Sequence, residues 1–134
     1  MFYVKISPLK NRLYMILKNG MDQAEFKEFM EATLREAQNL KPGFSVSTDI
    51  SEFAFMNDDM VPLLNELLQG LKRLKAGNVV RIINPQAPNV SLQWQRASWK
   101  LGYTAEIVTS GLQAEEKLDE LDRLQMALFE DAEY

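Results

Sequence analysis

Phe2, Val4 and Ile6 alternate with Tyr3, Lys5 and Ser7, a period of two that predicts a half-buried strand. Pro8 interrupts it. Leu13, Met15 and Leu17 then alternate with Tyr14, Ile16 and Lys18, and Asn19-Gly20 closes this second strand. The short connection makes the pair a hairpin. The period then becomes helical. Asp22 stands where an N-cap belongs, and Glu25 follows at capping-box spacing. Phe26, Phe29, Met30, Leu34, Ala37 and Leu40 make one apolar stripe, ended by Lys41-Pro42-Gly43. Phe44, Val46, Thr48 and Ile50 predict a third strand, with 49–59 as the loop after it. Met60, Leu63, Leu64, Leu67, Leu68, Leu71 and Leu74 recur every three or four residues up to Gly77, which predicts a second helix. Val79, Val80, Ile82 and Ile83 read as a short apolar run, the pattern of a central strand covered on both faces. A Pro-rich loop at 84–89 leads to a third helix, marked by Val90, Trp94, Ala97 and Leu101 and stopped by Gly102. Residues 104–109 predict a fifth strand. Leu118, Leu121, Leu124, Gln125 and Leu128 mark a last helix, with 129–134 as an acidic tail.

After the hairpin, every strand is followed by one helix. That order predicts an α/β domain over 1–128: a mostly parallel sheet of about five strands, an antiparallel N-terminal hairpin and about four helices. The 134 residues suit a single domain that buries its own core. Composition narrows the chemistry. The chain contains no Cys and no His, so disulfides, thiol nucleophiles, Ser-His-Asp triads and thiolate or imidazole metal sites are excluded. A net charge of −4 argues against nucleic-acid binding, which needs basic charge facing phosphates. No apolar stretch approaches the ~20 residues of a membrane span, and the opening MFYVKISPLK lacks a signal-peptide apolar block. The expectation is a cytoplasmic protein without a membrane partner.

In open parallel sheets, ligands meet the loops at the carboxyl ends of the strands. Two clusters fall there. The first is Asp49, Ser51, Glu52, Asn57, Asp58 and Asp59. Asp59 is a good N-cap candidate, with Pro62 in the first turn and Asp58 adding charge that suits the helix end. The same acids could instead form a partner-facing knob. An oxygen-ligand cation site is a third option, but adjacent aspartates lack specific ligand spacing, so no metal and no cofactor are expected. A receiver-type phosphoacceptor needs an acidic pair after the first strand, where this chain has Ser7-Pro8. For glycoside hydrolysis nothing fixes the carboxylate separation. The second cluster, 84–89, is either a stiff connection whose Asn89 or Ser91 caps the following helix, or the polar lip of a small-molecule pocket lined by Asp49, Asn84 and Trp94. Trp94, beside Ala97, reads as core. Trp99 and Tyr103, four apart, form either an exposed aromatic pair or ordinary packing.

Asp49-Ile50-Ser51, then Phe55-Met56, then Asn57-Asp58-Asp59-Met60 and the leucines beyond form a series that resembles the STAS domain family. That family includes anti-sigma factor antagonists and the cytoplasmic tails of sulfate transporters, and the SpoIIAA-like group within it is the better fit. The element order along the chain is similar too. The resemblance implies a non-catalytic regulatory module. Its partner would be a protein, such as an anti-sigma factor or a kinase-like regulator, met by Ser51, Glu52, Phe53, Asn57, Asp58 and Asp59, with Phe53 and Phe55 exposed. In the antagonists a serine kinase phosphorylates a hydroxyl at the helix start. Here the two hydroxyl positions fall on Asp58 and Asp59, and the family's glycine on Met60. A carboxylate carries one charge where phosphoserine carries nearly two, so the resemblance implies a docking surface without the phosphorylation switch. Two alternatives stand beside it: a domain that binds or senses a small molecule (a lipid or nucleotide) at the strand ends, and a hydrolase using Asp49 or Asp58 with a metal. The helix at 118–128 would pack on its own sheet or on a second copy, the latter making a homodimer.

Overall fold

The opening alternation folds as a hairpin of β1 (Phe2–Ser7) and β2 (Arg12–Gly20), with Val4 opposite Met15 and Ile6 opposite Leu13. The computed structural model describes residues 1–132, and side chains through residue 128. Asp22 caps α1 (Gln23–Ala37): its Oδ1 accepts the Glu25 N–H at 2.7 Å. The Glu25 carboxylate turns instead to the amino terminus of Met1, 2.8 Å away. There follow β3 (Ser45–Phe55), a 3₁₀ turn (Asp58–Met60), α2 (Val61–Arg73), β4 (Val79–Ile82), α3 (Pro88–Lys100), β5 (Glu106–Val108) and α4 (Gly111–Ala132). The sheet has the order β1-β2-β3-β4-β5, antiparallel at β1/β2 and parallel elsewhere.

This order determines where the helices go. When each parallel strand adds beside the last, right-handed crossovers place every connecting helix on the same face. One continuous core accordingly joins Phe26 and Phe29 of α1, Leu64, Leu67 and Leu68 of α2, and Val90 and Trp94 of α3 to Leu13, Met15, Leu17, Val46 and Ile50 of the sheet. The last helix connects no strands and escapes that constraint. It crosses the opposite face, where among the described residues Ala114 and Leu118 form its buried apolar contacts with Val80 and Ile82.

The third strand is longer than the expected one. Segment 49–55, anticipated as loop, pairs with the end of β2. The pairing is irregular: Ile16 faces Asp49, but Lys18 faces Glu52, so β3 carries one extra residue. A bulge of this kind moves the following side chains to the other face. Phe53, on the face of Asp49 and Ser51 by strict alternation, instead joins Ile50 in the core. The fourth helix continues through Ala132, so residues 129–132 of the expected tail are helical, and Glu133 and Tyr134 lie outside the described residues. Among the described residues no helix is long and apolar enough to cross a membrane.

Candidate functional site

The acidic turn sits between the end of β3 and α2. Its backbone closes itself: the Met60 N–H donates to the Asn57 carbonyl at 3.0 Å, and the Val61 N–H to the Asp58 carbonyl. Pro62, in the first turn of α2, has no N–H to satisfy. The helix start therefore needs no side-chain acceptor. The N-cap position is held by Met60, not Asp59, and no side chain caps either the 3₁₀ turn or α2. The expected capping role of Asp59 is thus not realised. Asn57, Asp58 and Asp59 are all exposed.

The other residues expected in the docking surface divide. Phe53 is a correction: it is 2% exposed and belongs to the core, for the register reason given above. Phe55, beyond a second register shift, is 61% exposed. The Ser51 hydroxyl donates to Asp49 Oδ1 at 2.6 Å, and the Ser51 N–H reaches the same oxygen at 3.0 Å. Glu52 pairs with Lys18, Nζ to Oε2 3.3 Å. On the other side of the turn, Asp58 borders a groove between α2 and α3 lined by Val61, Asn65, Gln93, Arg96 and Trp99. Trp99 is 56% exposed there, while Tyr103 is half-buried elsewhere, so the two do not form an exposed pair.

Asp49, Asn84 and Trp94 do not converge. Asp49 lies in register with Ile82, which packs against α4, whereas Trp94 is wholly buried on the opposite, three-helix face. Asn84 is exposed, and its Oδ1 accepts the Gln86 N–H at 3.0 Å in a local turn. The expectation of a pocket at the strand ends failed for a topological reason. Ligand crevices in open sheets form where the strand order reverses, and this order never reverses. Among the described residues no group of three or more acidic side chains is arranged so that it could hold a metal ion.

Two arginines that sequence reasoning passed over are both buried. Arg12 Nη1 meets Glu115 at 2.7 Å and Asp119 at 3.0 Å, its Nη2 meets Asp122 at 2.8 Å, and its Nε donates to Ser45 Oγ at 2.9 Å. Tyr14 and Lys10 complete the cluster, donating to Glu115 at 2.7 and 2.8 Å. Burial raises the Glu115 carboxyl, but hydrogen bonds from Lys10 and Tyr14 and the charge of Arg12 outweigh it and hold the group below its ordinary value.

Arg81 is 1% exposed and lies on the three-helix face, its guanidinium carbon 5.6 Å from the centre of the Trp94 ring. Nη2 donates to Ser98 Oγ at 2.8 Å, while Nε and Nη1 have no partner among the described residues, nor has the Trp94 indole N–H. Burial pushes the Arg81 guanidinium down to about 10, so it stays charged at neutral pH. Beside it opens a cavity of about 200 Å³ between the C-terminal ends of α2 and α3 and the N-terminal ends of β3 and β4. This is the end of the sheet opposite the acidic turn. The signal was present in the sequence: a charged residue inside the apolar run 79–83 is almost never fully buried without a partner.

No protein-family model and no curated protein matches the chain. Among solved structures it is similar to the anti-sigma factor antagonist SpoIIAA in its unphosphorylated form, with 12% identity, a TM-score of 0.54, and coverage of 93% of this chain and 98% of that one. The NMR structure of the protein TM1081 is similar as well, at 15% identity and TM-score 0.55, covering 89% of each chain. A five-stranded sheet with one antiparallel edge and four helices, matched over nearly the whole length of SpoIIAA, gives this chain the STAS fold.

Proposed function

We propose that the protein is a non-catalytic regulatory module that docks another protein through its acidic turn. Asn57, Asp58 and Asp59 form the centre, Phe55 supplies an apolar contact, and Ser51 and Glu52 lie at the edge on the same strand end. The observation that carries this reading is that both aspartate carboxylates are exposed at a helix start that does not use them as caps. Exposed charge beside an exposed aromatic side chain suits a partner with a basic rim and an apolar socket. The fold shared with an anti-sigma factor antagonist supports a protein partner, with an anti-sigma factor or kinase-like regulator as its class. Asp58 and Asp59 cannot accept phosphate as a serine would, so docking would be constitutive, or regulated on the partner's side.

The small-molecule alternative at the strand ends loses its site, since its three residues lie apart. The test is a pull-down with wild type and with the Asp58→Lys, Asp59→Lys double variant. Both side chains are exposed, so the double variant should unfold within about 0.5 kcal/mol of wild type. Partners retained by wild type should be lost by the charge-reversed protein and weakened by Phe55→Ser. Identical retention by all three would end the docking reading.

A further inference from the structure

The Arg81 cavity has a chemistry of its own, independent of the acidic turn. Its walls are apolar, with Val46, Leu68, Leu71, Val79 and Leu101 among them. Its charged lining residues are Arg81 and Lys72, and no carboxylate among the described residues lines it. Lys72 is exposed and spans the gap between the two helix ends, its Nζ donating to the Leu101 carbonyl at 2.8 Å. Arg81 is paired with no carboxylate among the described residues, in a protein whose net charge is −4. A buried guanidinium carries five N–H donors and no acceptor. Leaving such a charge unpaired is strongly unfavourable, and a charged side chain in this state calls for an anion.

The backbone around the cavity is built for close approach. A Cβ on Gly77 would come within 2.6 Å of the Gly43 carbonyl oxygen, so only glycine lets the two loops meet at this wall. Gly43 itself has φ +90° and donates to the Lys75 carbonyl at 2.7 Å. These contacts hold the cavity wall firm from the side of the sheet's N-terminal edge.

We propose that this cavity binds a small apolar carboxylate, with its head toward Arg81 and its hydrocarbon tail along Leu71, Val79 and Leu101. A carboxylate supplies the missing charge, and its two oxygens accept without donating, which suits a guanidinium that can only donate. Size sets the tail. A cavity of 150 Å³ holds benzene, so 200 Å³ admits a chain of roughly six to eight carbons. The ligand would enter past Lys72, whose charge attracts the same anion.

The experiment titrates ¹⁵N-labelled wild-type protein with octanoate and, separately, with 1-octanol. Octanoate should shift the Arg81 Nε resonance and the backbone amides of Val79, Arg81 and Tyr103, and should raise Tm in a concentration-dependent way. Octanol, with the same tail and no charge, should bind at least tenfold more weakly. Arg81→Met should lose at least tenfold in octanoate affinity while leaving octanol affinity unchanged. The wild-type Nε resonance provides a readout that does not depend on the variant folding. No octanoate response at millimolar concentration, or equal binding of acid and alcohol by wild type, would overturn the proposal. So would Arg81→Met binding octanoate as wild type does. The Asp58 and Asp59 variants should bind octanoate normally, which separates the outcome from that of the docking reading.

Discussion

Arg12 and Arg81 are each 1% exposed, each stands on a strand, and they lie on opposite faces of one sheet. Arg12 is met by three carboxylates and a serine. Arg81 is met by one serine, with two nitrogens left over. The difference follows from what covers each face. Three helices supply the first face with an extensive apolar core, which can carry an uncompensated charge without losing the fold. The opposite face receives α4, whose buried apolar contribution among the described residues is Ala114 and Leu118. There the ionic cluster around Arg12 does the joining, so that arginine is a structural clamp. Arg81 has one hydrogen bond, to Ser98, and the face of Trp94 to set against the cost of burying its charge, and the proposed anion would supply the missing partner.

The sharpest way to break this contrast is Arg12→Met. It takes the buried cation from three partly exposed carboxylates, with Lys10 and Tyr14 still bonded to Glu115, and losing such charge-assisted hydrogen bonds costs about 2–3 kcal/mol. Urea unfolding should show the loss, and amide exchange should show it concentrated in α4. Protection of α4 unchanged from wild type would mean that the clamp is elsewhere. Arg81→Met should act in the other direction. Replacing an unpaired buried charge by an apolar side chain of similar length should leave stability unchanged or raise it by about 1–2 kcal/mol in ligand-free protein. A loss comparable to that of Arg12→Met would make the two arginines equivalent and erase the comparison.

A smaller effect should come from pH. The Glu115 and Asp119 carboxyls are raised by burial but held below their ordinary values of 4.5 and 3.8 by hydrogen bonds from Lys10, joined by Tyr14 at Glu115 and Arg12 at Asp119. Groups depressed in the folded state contribute stability that is present above their unfolded values and is lost as pH falls through the folded ones. Attachment of α4 should therefore be constant at neutral pH and weaken below about 4.5, before the three-helix core responds. Circular dichroism with α4-specific amide exchange would follow it. Simultaneous loss of both faces would show that the cluster is not what the acid attacks.

Local signals read well in this chain because they depend on near neighbours. The hairpin, the Asp22 cap, the leucine stripe of α2 and the alternation of strands and helices need only a period and a punctuating residue. Site residues fared unevenly. Asp58 and Asp59 are exposed, but Phe53 turned inward because one extra residue opposite Ile16–Lys18 reversed its face. Asp59 is free of the capping role because a 3₁₀ turn and Pro62 leave α2 without need of it. Asp49, Asn84 and Trp94 would meet at the strand ends only in a sheet whose strand order reverses, and this order does not reverse.

The sequence by itself determined the element order, the antiparallel start and the exclusion of cysteine and histidine chemistry, because these follow from residue type and short-range period. Only the tertiary structure decided which side of the sheet each charge occupies, and with whom it pairs. Arg12 finds Glu115, Asp119 and Asp122 across more than one hundred residues of chain, and Arg81 finds no carboxylate among the described residues. Pairing between such distant groups depends on strand register and on which face a helix covers, and neither is written in the spacing of neighbouring residues.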